Sequence, residues 1–286
     1  MSEVSQALSA LDSGPTDPHD LNAVREYWNR RPCNIRHSPA PVGTREYFDQ
    51  VEARKYFVEP HIPGLAEFAR WKGKRILEIG CGIGTDTINF AREGAEITAV
   101  DLSSASLEIV RRRLDVFGLK AALHEANAEN LSFLPDNFFD LVYSFGVIHH
   151  TPHPRNAVTH VIRVLKPGGE FRVMIYNKWS YKVLAICLRG MLRGRFNCAR
   201  LIREESEAQF GSPVTFVYNA AETRALLAGL NIEKMWVDHI FPFVIPEYVQ
   251  YRYHKRWLFR VLPEGVNERL CHRLGWHRMA IARKPA

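Results

Sequence analysis

Residues 75 to 86 read Arg75-Ile76-Leu77-Glu78-Ile79-Gly80-Cys81-Gly82-Ile83-Gly84-Thr85-Asp86. The apolar positions at the start of this stretch predict a buried parallel strand. Ile88, Phe90 and Ala91 follow at a spacing that predicts a helix packed on a sheet. Three glycines at alternate positions join the two elements, and glycine lets the backbone turn sharply and approach a ligand closely. The stretch therefore predicts a nucleotide-binding turn.

The spacing of the glycines narrows the choice of nucleotide. A dinucleotide fingerprint reads G-x-G-x-x-G, whereas this turn reads G-x-G-x-G and has Glu78 two residues before its first glycine. The next apolar run ends at Asp101, a position from which a carboxylate can accept both ribose hydroxyls. The tight spacing and Glu78 argue against a nicotinamide dehydrogenase.

Four signals follow one another along the chain: Glu78-x-Gly80-x-Gly82-x-Gly84, Asp101, Asn127-Ala128-Glu129 and Leu165-Lys166-Pro167-Gly168-Gly169. Their order resembles that of class I methyltransferases that use S-adenosylmethionine, of the type found in ubiquinone and menaquinone biosynthesis. The resemblance covers residues 67–177 strongly and the strand order to the C-terminus more loosely. It implies an enzyme, a transferase, with S-adenosylmethionine as its cofactor.

The resemblance also implies a role for each matching residue. The three glycines would lie against the methionine part of the cofactor with Glu78 bracing them, Asp101 would hold the ribose, and Leu102 would flank the adenine. The family usually has an aspartate at Asn127, but an amide oxygen can still accept from the adenine amine; an ordinary loop cap is the alternative. The predicted cofactor-binding set is Glu78, Gly80, Cys81, Gly82, Gly84, Asp101, Leu102, Asn127, Ala128, Glu129 and Ser144.

The segment from Tyr143 to His153 follows the predicted fourth strand, where an open α/β sheet exposes its strand ends to ligands. His149 and His150 are predicted to take a proton from the acceptor, because imidazole titrates near neutrality. The alternative is that His149 packs on the cofactor and His150 bonds to the backbone. No metal site is predicted here, because the histidine spacing lacks a pair presented by a helix.

An aromatic helix is predicted near the N-terminus, and it carries Tyr27 and Trp28. Aromatic rings can face a cationic sulfonium, so Tyr27 is the third predicted catalytic residue, closing over the cofactor. Simple core packing is the alternative and is favoured for Trp28.

From Lys74 onward, apolar runs alternate with helical patterns, which is typical of a parallel sheet with helices on both faces. Strands are predicted at 75–79, 96–101, 121–125, 139–144, 169–176, 232–240 and 276–283, and helices at 85–93, 104–117, 155–165 and 220–229. Together with the resemblance, this predicts a Rossmann-like α/β class I methyltransferase sheet of seven strands, the last antiparallel, with an N-terminal helical cap and lid insertions. The predicted parts are a flexible tail at 1–19, the cap at 20–66, and the methyltransferase domain at 67–286 with insertions at 178–219 and 241–272.

The net charge of +7 is unevenly distributed. Residues 178–286 hold 18 Lys and Arg against 9 Asp and Glu. Within them, residues 178–193 predict a basic amphipathic helix with Val183, Leu184, Cys187, Leu188 and Met191 on one face and Lys182, Arg189 and Arg193 on the other. Three interpretations are considered for this helix: a lid whose apolar face covers the acceptor, contact with anionic lipid as a peripheral membrane surface, or contact with RNA. The lid is favoured, because the helix follows the fifth strand.

Localisation is predicted to be cytoplasmic. The five cysteines lack paired spacing, the N-terminus has no signal pattern, and no run of about 18 apolar residues is present. The predicted function is small-molecule biosynthesis, by in-line transfer of a methyl group to an aromatic, amphipathic or acidic acceptor.

The alternative is an RNA or protein methyltransferase that uses the basic C-terminal third. Nucleic acid is not favoured as a partner, because residues 241–260 contain no recognisable RNA-binding module and their dense aromatics are more typical of a pocket wall. A protein that binds the sulfonium without methylating is a further alternative, and the oligomeric state is left open.

Overall fold

The computed structural model describes residues 19–205 and 213–286. The flexible tail predicted for residues 1–19 lies outside the described residues, except that the first helix begins at His19.

A seven-stranded sheet forms the centre of the molecule. Its strands are β1 (Arg75–Ile79), β2 (Glu96–Asp101), β3 (Ala122–Glu125), β4 (Phe139–Phe145), β5 (Leu165–Tyr176), β6 (Asn231–Asp238) and β7 (His277–Arg283). They lie in the order β3-β2-β1-β4-β5-β7-β6. The first five pair in parallel, whereas β7 is antiparallel to both β5 and β6. The start of β7 therefore lies at the same edge as the carboxyl ends of the other strands.

Twelve α-helices surround this sheet in the described part of the chain. They are α1 (His19–Arg30), α2 (Arg45–Val58), α3 (Ile62–Ala66), α4 (Thr85–Arg92), α5 (Ser104–Phe117), α6 (Pro154–Val164), α7 (Tyr181–Leu192), α8 (Cys198–Glu205), α9 (Ala220–Leu226), α10 (Ile245–Val249), α11 (Trp257–Val261) and α12 (Glu264–Leu274). Side-chain caps fix several starts: Ser103 accepts from the Ser106 N–H at α5, and Asn219 with Glu222 forms a capping box at α9.

The two faces of the sheet pack against different apolar clusters. Along β4, Val142 belongs to one apolar cluster while its neighbours Leu141 and Tyr143 belong to the other. In β5, Val173 and Met174 divide in the same way. This alternation follows from the two-residue period of a strand. Both faces are covered, as a parallel sheet requires.

The predicted fold class is confirmed. Several predicted boundaries are shifted, and two of these shifts have clear local reasons. β5 begins at Leu165 instead of residue 169, because Leu165 already pairs with Phe139 before a register shift in β4. The sixth strand ends at Asp238 instead of residue 240, because His239 has a left-handed backbone with φ of 72°. Cys33, Cys81, Cys187, Cys198 and Cys271 are all described, and no disulfide joins them.

Helix α7 occupies the predicted position, but three of the five residues on its predicted apolar face are exposed to solvent. Leu184, Leu188 and Met191 are exposed, whereas the helix buries Val183, Ile186 and Gly190. Gly190 packs so tightly on α8 that an added Cβ would lie 2.2 Å from a Leu201 methyl carbon. The apolar stripe is therefore split between a buried side and a solvent-facing side.

Across residues 19–205 and 213–286, none of the helices has the combined length and apolar character that crossing a membrane requires.

Candidate cofactor and acceptor site

The glycine turn between β1 and α4 has a left-handed backbone, and two of its glycines show why. Gly80 has φ of +74°, and an added Cβ would lie 2.2 Å from a Val147 methyl carbon. Gly82 has φ of +52°, and its nearest neighbour in that direction is the Cys33 Cβ at 3.7 Å. Both glycines line a large cavity. Packing therefore excludes a side chain at Gly80, whereas at Gly82 the absent side chain leaves room for a ligand.

Asp101 ends β2 beside this turn and is bonded to it. Its Oδ2 accepts a hydrogen bond from the Gly82 N–H at 2.8 Å, and its Oδ1 accepts from the Ser103 N–H at 2.8 Å. Burial raises the pKa of Asp101 to about 6, although these backbone N–H groups oppose the shift. The carboxylate faces the cavity at a strand end, which is where the sequence predicted a ribose acceptor.

Glu78 lies behind the turn and does not line the cavity. Its Oε2 accepts a hydrogen bond from the Thr87 hydroxyl at 2.5 Å, which links β1 to the first turn of α4. Burial raises the pKa of Glu78 to about 8, and the nearby Asp86 carboxylate adds to this shift. Its contacts are those of a brace for the turn.

Asn127, Ala128 and Glu129 follow β3 at the same edge of the sheet. The Asn127 Oδ1 accepts from the Glu129 N–H at 3.0 Å, which is the loop cap that the sequence left as an alternative. A carbonyl oxygen has a second lone pair, so this bond still leaves it able to accept from a ligand. Glu129 turns to the His153 N–H at 2.7 Å and does not line the cavity.

The cavity has a volume of ≈ 1440 Å³ and extends well past the glycine turn. From the predicted cofactor set it is lined by Gly80, Cys81, Gly82, Asp101, Leu102, Asn127 and Ala128. Gly84 starts α4 below the turn and is not among its lining residues. Pockets for a single small ligand measure about 300–1000 Å³. This cavity is larger and has space for two molecules side by side.

Of the two predicted histidines, only His150 faces the cavity. Its Nδ1 lies 2.8 Å from the Val214 carbonyl oxygen, and its ring centroid lies 5.7 Å from that of Trp28. A carbonyl only accepts hydrogen bonds, so Nδ1 carries the proton and Nε2 is the basic nitrogen of the neutral ring.

His149 is fully buried, and its ring centroid lies 3.8 Å from that of Tyr176. Burial lowers the pKa of His149 well below its usual range. Among the described residues, neither of its ring nitrogens has a hydrogen-bond partner. The structure thus places His149 in the core and not at the cavity.

Ser144 is also placed away from the cavity. It lies inside β4 with no exposed surface, and the next two residues, Phe145 and Gly146, line the cavity in its place. Alternation along the strand explains this, because Ser144 points to one face of the sheet while the strand end opens to the cavity.

Tyr27 lines the cavity beside Trp28, and their rings meet edge to face with centroids 5.0 Å apart. The cap that carries them is held to the sheet by Asn29, whose Oδ1 accepts from the Ser103 hydroxyl at 2.9 Å. Ser103 follows Asp101 by two residues, so α1 is fixed directly beside the cofactor end of the cavity.

The far wall of the cavity includes aromatics of the second insertion, as the sequence indicated, and joins them to the cap through a contact that the sequence did not predict. The Arg54 guanidinium of α2 lies 4.1 Å from the Tyr248 ring centroid and 4.4 Å from that of Tyr251. It also donates to the Tyr248 carbonyl at 2.6 Å. Tyr176 and Trp276 also line the cavity and stack on each other, with centroids 4.0 Å apart.

Four further groups lie together where α2, β6 and β7 meet. Glu59, His239 and His277 line the cavity, and the His61 Nε2 lies behind them, 2.9 Å from the His277 Nδ1. Burial lowers the pKa of His239 to about 3 and that of His61 to about 4, and holds the pKa of His277 well below its usual range. No local pattern signals this group, because its members come from separate segments.

Comparison with known proteins supports the same fold. Residues 76–169 match the sequence model of the family described as Methyltransferase domain. The ubiquinone biosynthesis O-methyltransferase of Aromatoleum aromaticum is 30% identical over 145 residues, which are 48% of this chain and 62% of that protein. The protein of the same name from Nitrosococcus oceani is 35% identical over 145 residues, or 49% and 61%. The matches span less than two thirds of these curated relatives.

Among solved structures, magnesium protoporphyrin IX methyltransferase from Synechocystis with bound SAH superposes with a TM-score of 0.57 at 14% identity, over 93% of this chain and 99% of that chain. Its likeness concerns the fold. The predicted resemblance and fold class are therefore both confirmed: residues 76–169 match the sequence model of the methyltransferase domain family, and the described chain has the class I methyltransferase fold.

Proposed function

We propose that this protein is an S-adenosylmethionine-dependent methyltransferase acting on a small aromatic acceptor. The observation that carries the proposal is the single cavity of ≈ 1440 Å³ that joins the glycine turn and Asp101 to an aromatic, basic wall. The family match at residues 76–169 and a structural neighbour with bound SAH support the same cofactor.

The cofactor occupies the end of the cavity near β1, β2 and β3. The Gly80–Gly82 backbone lies against its methionine part, Asp101 accepts the ribose hydroxyls, and Leu102 and Asn127 flank the adenine. Because the sulfonium is already an activated donor, the protein mainly has to align the acceptor for in-line displacement.

The acceptor occupies the remaining space. Aromatic side chains from three parts of the chain line it, among them Trp28, Phe241 and Trp276. Lys182 and Arg256 also line the cavity and supply positive charge. An aromatic acceptor that carries an acidic group fits both features. The relatives from Aromatoleum aromaticum and Nitrosococcus oceani are named O-methyltransferases, which favours oxygen as the methylated atom.

His150 is the proposed base. Its Nδ1 is held by the Val214 carbonyl, so Nε2 is the basic nitrogen that would take the proton of an acceptor hydroxyl as the methyl group arrives. Tyr27 closes the cofactor end beside Trp28, where an aromatic ring can stabilise the sulfonium.

The test is a transfer assay with deuterium-labelled S-adenosylmethionine and a panel of phenols and catechols, with and without a carboxylate and an alkyl tail. We expect labelled aryl ethers and S-adenosylhomocysteine in equal amounts. Binding of S-adenosylhomocysteine without any acceptor-dependent product would overturn the proposal in favour of a binding protein.

The basic C-terminal third favours a second candidate, an RNA methyltransferase. Much of this charge is paired internally: Arg200 lies 2.7 Å from Glu204, Lys178 lies 2.6 Å from Glu222, and Arg283 lies 2.7 Å from Glu233. Internal pairing leaves less charge for phosphates. RNA binding whose affinity falls steeply as the salt concentration rises would support the RNA methyltransferase.

Helix α7 is the proposed contact with an anionic membrane surface, on the cytoplasmic side. Leu184, Leu188 and Leu192 are 63%, 55% and 81% exposed, next to Arg193. Exposed apolar side chains beside arginines are typical of helices that lie in a membrane interface. The same helix lines the cavity with Lys182 and Ile186, so an amphipathic acceptor would pass beneath it.

A further inference from the structure

We propose that Glu59, His239 and His277 bind a divalent transition-metal ion in the cavity wall. The three residues come from the end of α2, the residue after β6 and the first residue of β7. Because β7 runs antiparallel, its start lies at the ligand-binding edge of the sheet and brings His277 to the cavity.

The geometry is close to that of a metal site. One side-chain ligand atom from each of the three residues lies within 4.8 Å of the other two. The Glu59 Oε1 is 3.8 Å from the His277 Nε2. Ligands bound to Zn²⁺ at about 2.0–2.1 Å in tetrahedral geometry stand roughly 3.4 Å apart. Side-chain rotations that move the ligand atoms by about 1 Å would bring all three within bonding distance of one ion.

His61 supplies the support that metal-binding histidines usually have. Its Nε2 lies 2.9 Å from the His277 Nδ1, so one of these two nitrogens donates to the other. For the Nε2 of His277, the atom facing Glu59, to bind the ion, its Nδ1 must donate in this bond and the His61 Nε2 must accept. Such outer contacts fix the tautomer and orientation of a ligand.

The donor set favours a transition metal over magnesium or calcium. Two imidazoles and one carboxylate are ligands suited to Zn²⁺. The two imidazole nitrogens disfavour Mg²⁺ and Ca²⁺, which prefer oxygen ligands. The ring of His277 also lies 5.5 Å from that of Phe145 at the end of β4, so the site opens close to the cofactor end.

Three protein ligands leave a coordination position that faces the cavity, as in catalytic zinc sites. An acceptor hydroxyl bound there would have its pKa lowered and would be aligned for methyl transfer. This role rests on the proposed function, whereas metal binding itself does not.

The experiment uses the full-length protein, stripped with a chelator and titrated with Co²⁺ while its visible d–d absorption is recorded. We expect saturation at one equivalent and displacement by Zn²⁺. His61→Ala should weaken Co²⁺ binding about 10–100-fold, and His239→Ala should weaken it further. His254→Ala is the matched control, because His254 lies in the insertion between β6 and β7 and forms an exposed pair with Glu247 at 2.5 Å. This variant should bind Co²⁺ like the wild type.

Each variant is first checked by thermal melting and by S-adenosylhomocysteine binding. Absence of saturable Co²⁺ absorption, or equal binding by His239→Ala, would overturn the inference. Metal binding without methyl transfer would uphold the site and reject the proposed function. Metal-free transfer with no Co²⁺ site would reject the inference and uphold the function.

Discussion

The assignment of the glycine turn to a cofactor leads to a specific prediction for Gly82→Ala. Gly118, which ends α5, is the matched control, because it also has a left-handed backbone, with φ of +65°, and has nothing within 4 Å of an added Cβ. The methyl group of alanine would clash with no protein atom at either position, since the nearest atom to an added Cβ at Gly82 is the Cys33 Cβ at 3.7 Å. The folded protein can therefore accommodate both substitutions.

The two variants should lose similar stability. Placing alanine in the left-handed region costs about 1–2 kcal/mol, which lowers the Tm by roughly 2–8 °C for a domain of this size. Only the Gly82 methyl group enters the cavity, beside the Asp101 carboxylate. If it displaces the ribose from one charge-assisted hydrogen bond, the loss of about 1.5–3 kcal/mol corresponds to roughly 10–100-fold weaker binding.

Calorimetric titration with S-adenosylhomocysteine measures the affinity, and scanning calorimetry measures the Tm. We expect similar melting of the two variants and an affinity loss confined to Gly82→Ala. If Gly82→Ala bound the ligand as tightly as Gly118→Ala did, the turn would not contact the cofactor and the reasoning would be refuted.

Three further predictions concern charge, the base and the membrane. Asp101 has a raised pKa of about 6 and accepts hydrogen bonds best as a carboxylate, so cofactor affinity should be full above that pH and fall up to about 10-fold per pH unit below it. Calorimetric titration of Asp101→Asn should show no such pH dependence. A flat pH profile of the wild type would contradict this prediction. His150→Gln should lower kcat about 10²–10⁴-fold with cofactor affinity unchanged, whereas His149→Gln should mainly lower the Tm; equal kcat losses would argue against His150 as the base. Leu188→Ser should reduce flotation with anionic vesicles, whereas Phe133→Ser, which alters an exposed aromatic residue between β3 and β4, should not. Equal flotation of the wild type and both variants would exclude α7 as the membrane contact.

The cofactor half of the molecule could be predicted because its signals are local. The bounds of β1, β2 and α5 agree with the predicted ranges 75–79, 96–101 and 104–117. Each of these elements is bounded by nearby residues with a clear physical role. Gly80 turns the chain after β1, Ser103 caps the start of α5, and Gly118 ends it in a left-handed conformation.

The acceptor half could not be predicted, because its residues converge only in three dimensions. Arg54, Glu59, His239 and His277 belong to separate segments, and no spacing along the sequence relates them. Helical periodicity located α7, but its buried side is decided by α8, which packs at Gly190. Periodicity alone does not reveal which of several apolar positions a neighbouring helix will cover.

The histidine pair shows the same limit over a shorter distance. His149 and His150 are adjacent within a single 3₁₀ turn, Ile148–His150, and a turn directs neighbouring side chains differently. One therefore enters the core while the other meets the cavity. The sequence could propose the pair, but the direction of each ring depends on the packing of Tyr176 and Trp28.

The central claim is that one cavity holds the cofactor at its glycine turn and leaves an acceptor space beside it. The most direct test is a crystal structure of the protein with S-adenosylhomocysteine. We predict the ribose hydroxyls on the Asp101 carboxylate, the adenine between Leu102 and Asn127, and open space beyond the sulfur towards Trp276 and His277. A ligand bound elsewhere, or one that fills the space beside Trp276 and leaves Asp101 without contact, would contradict the account.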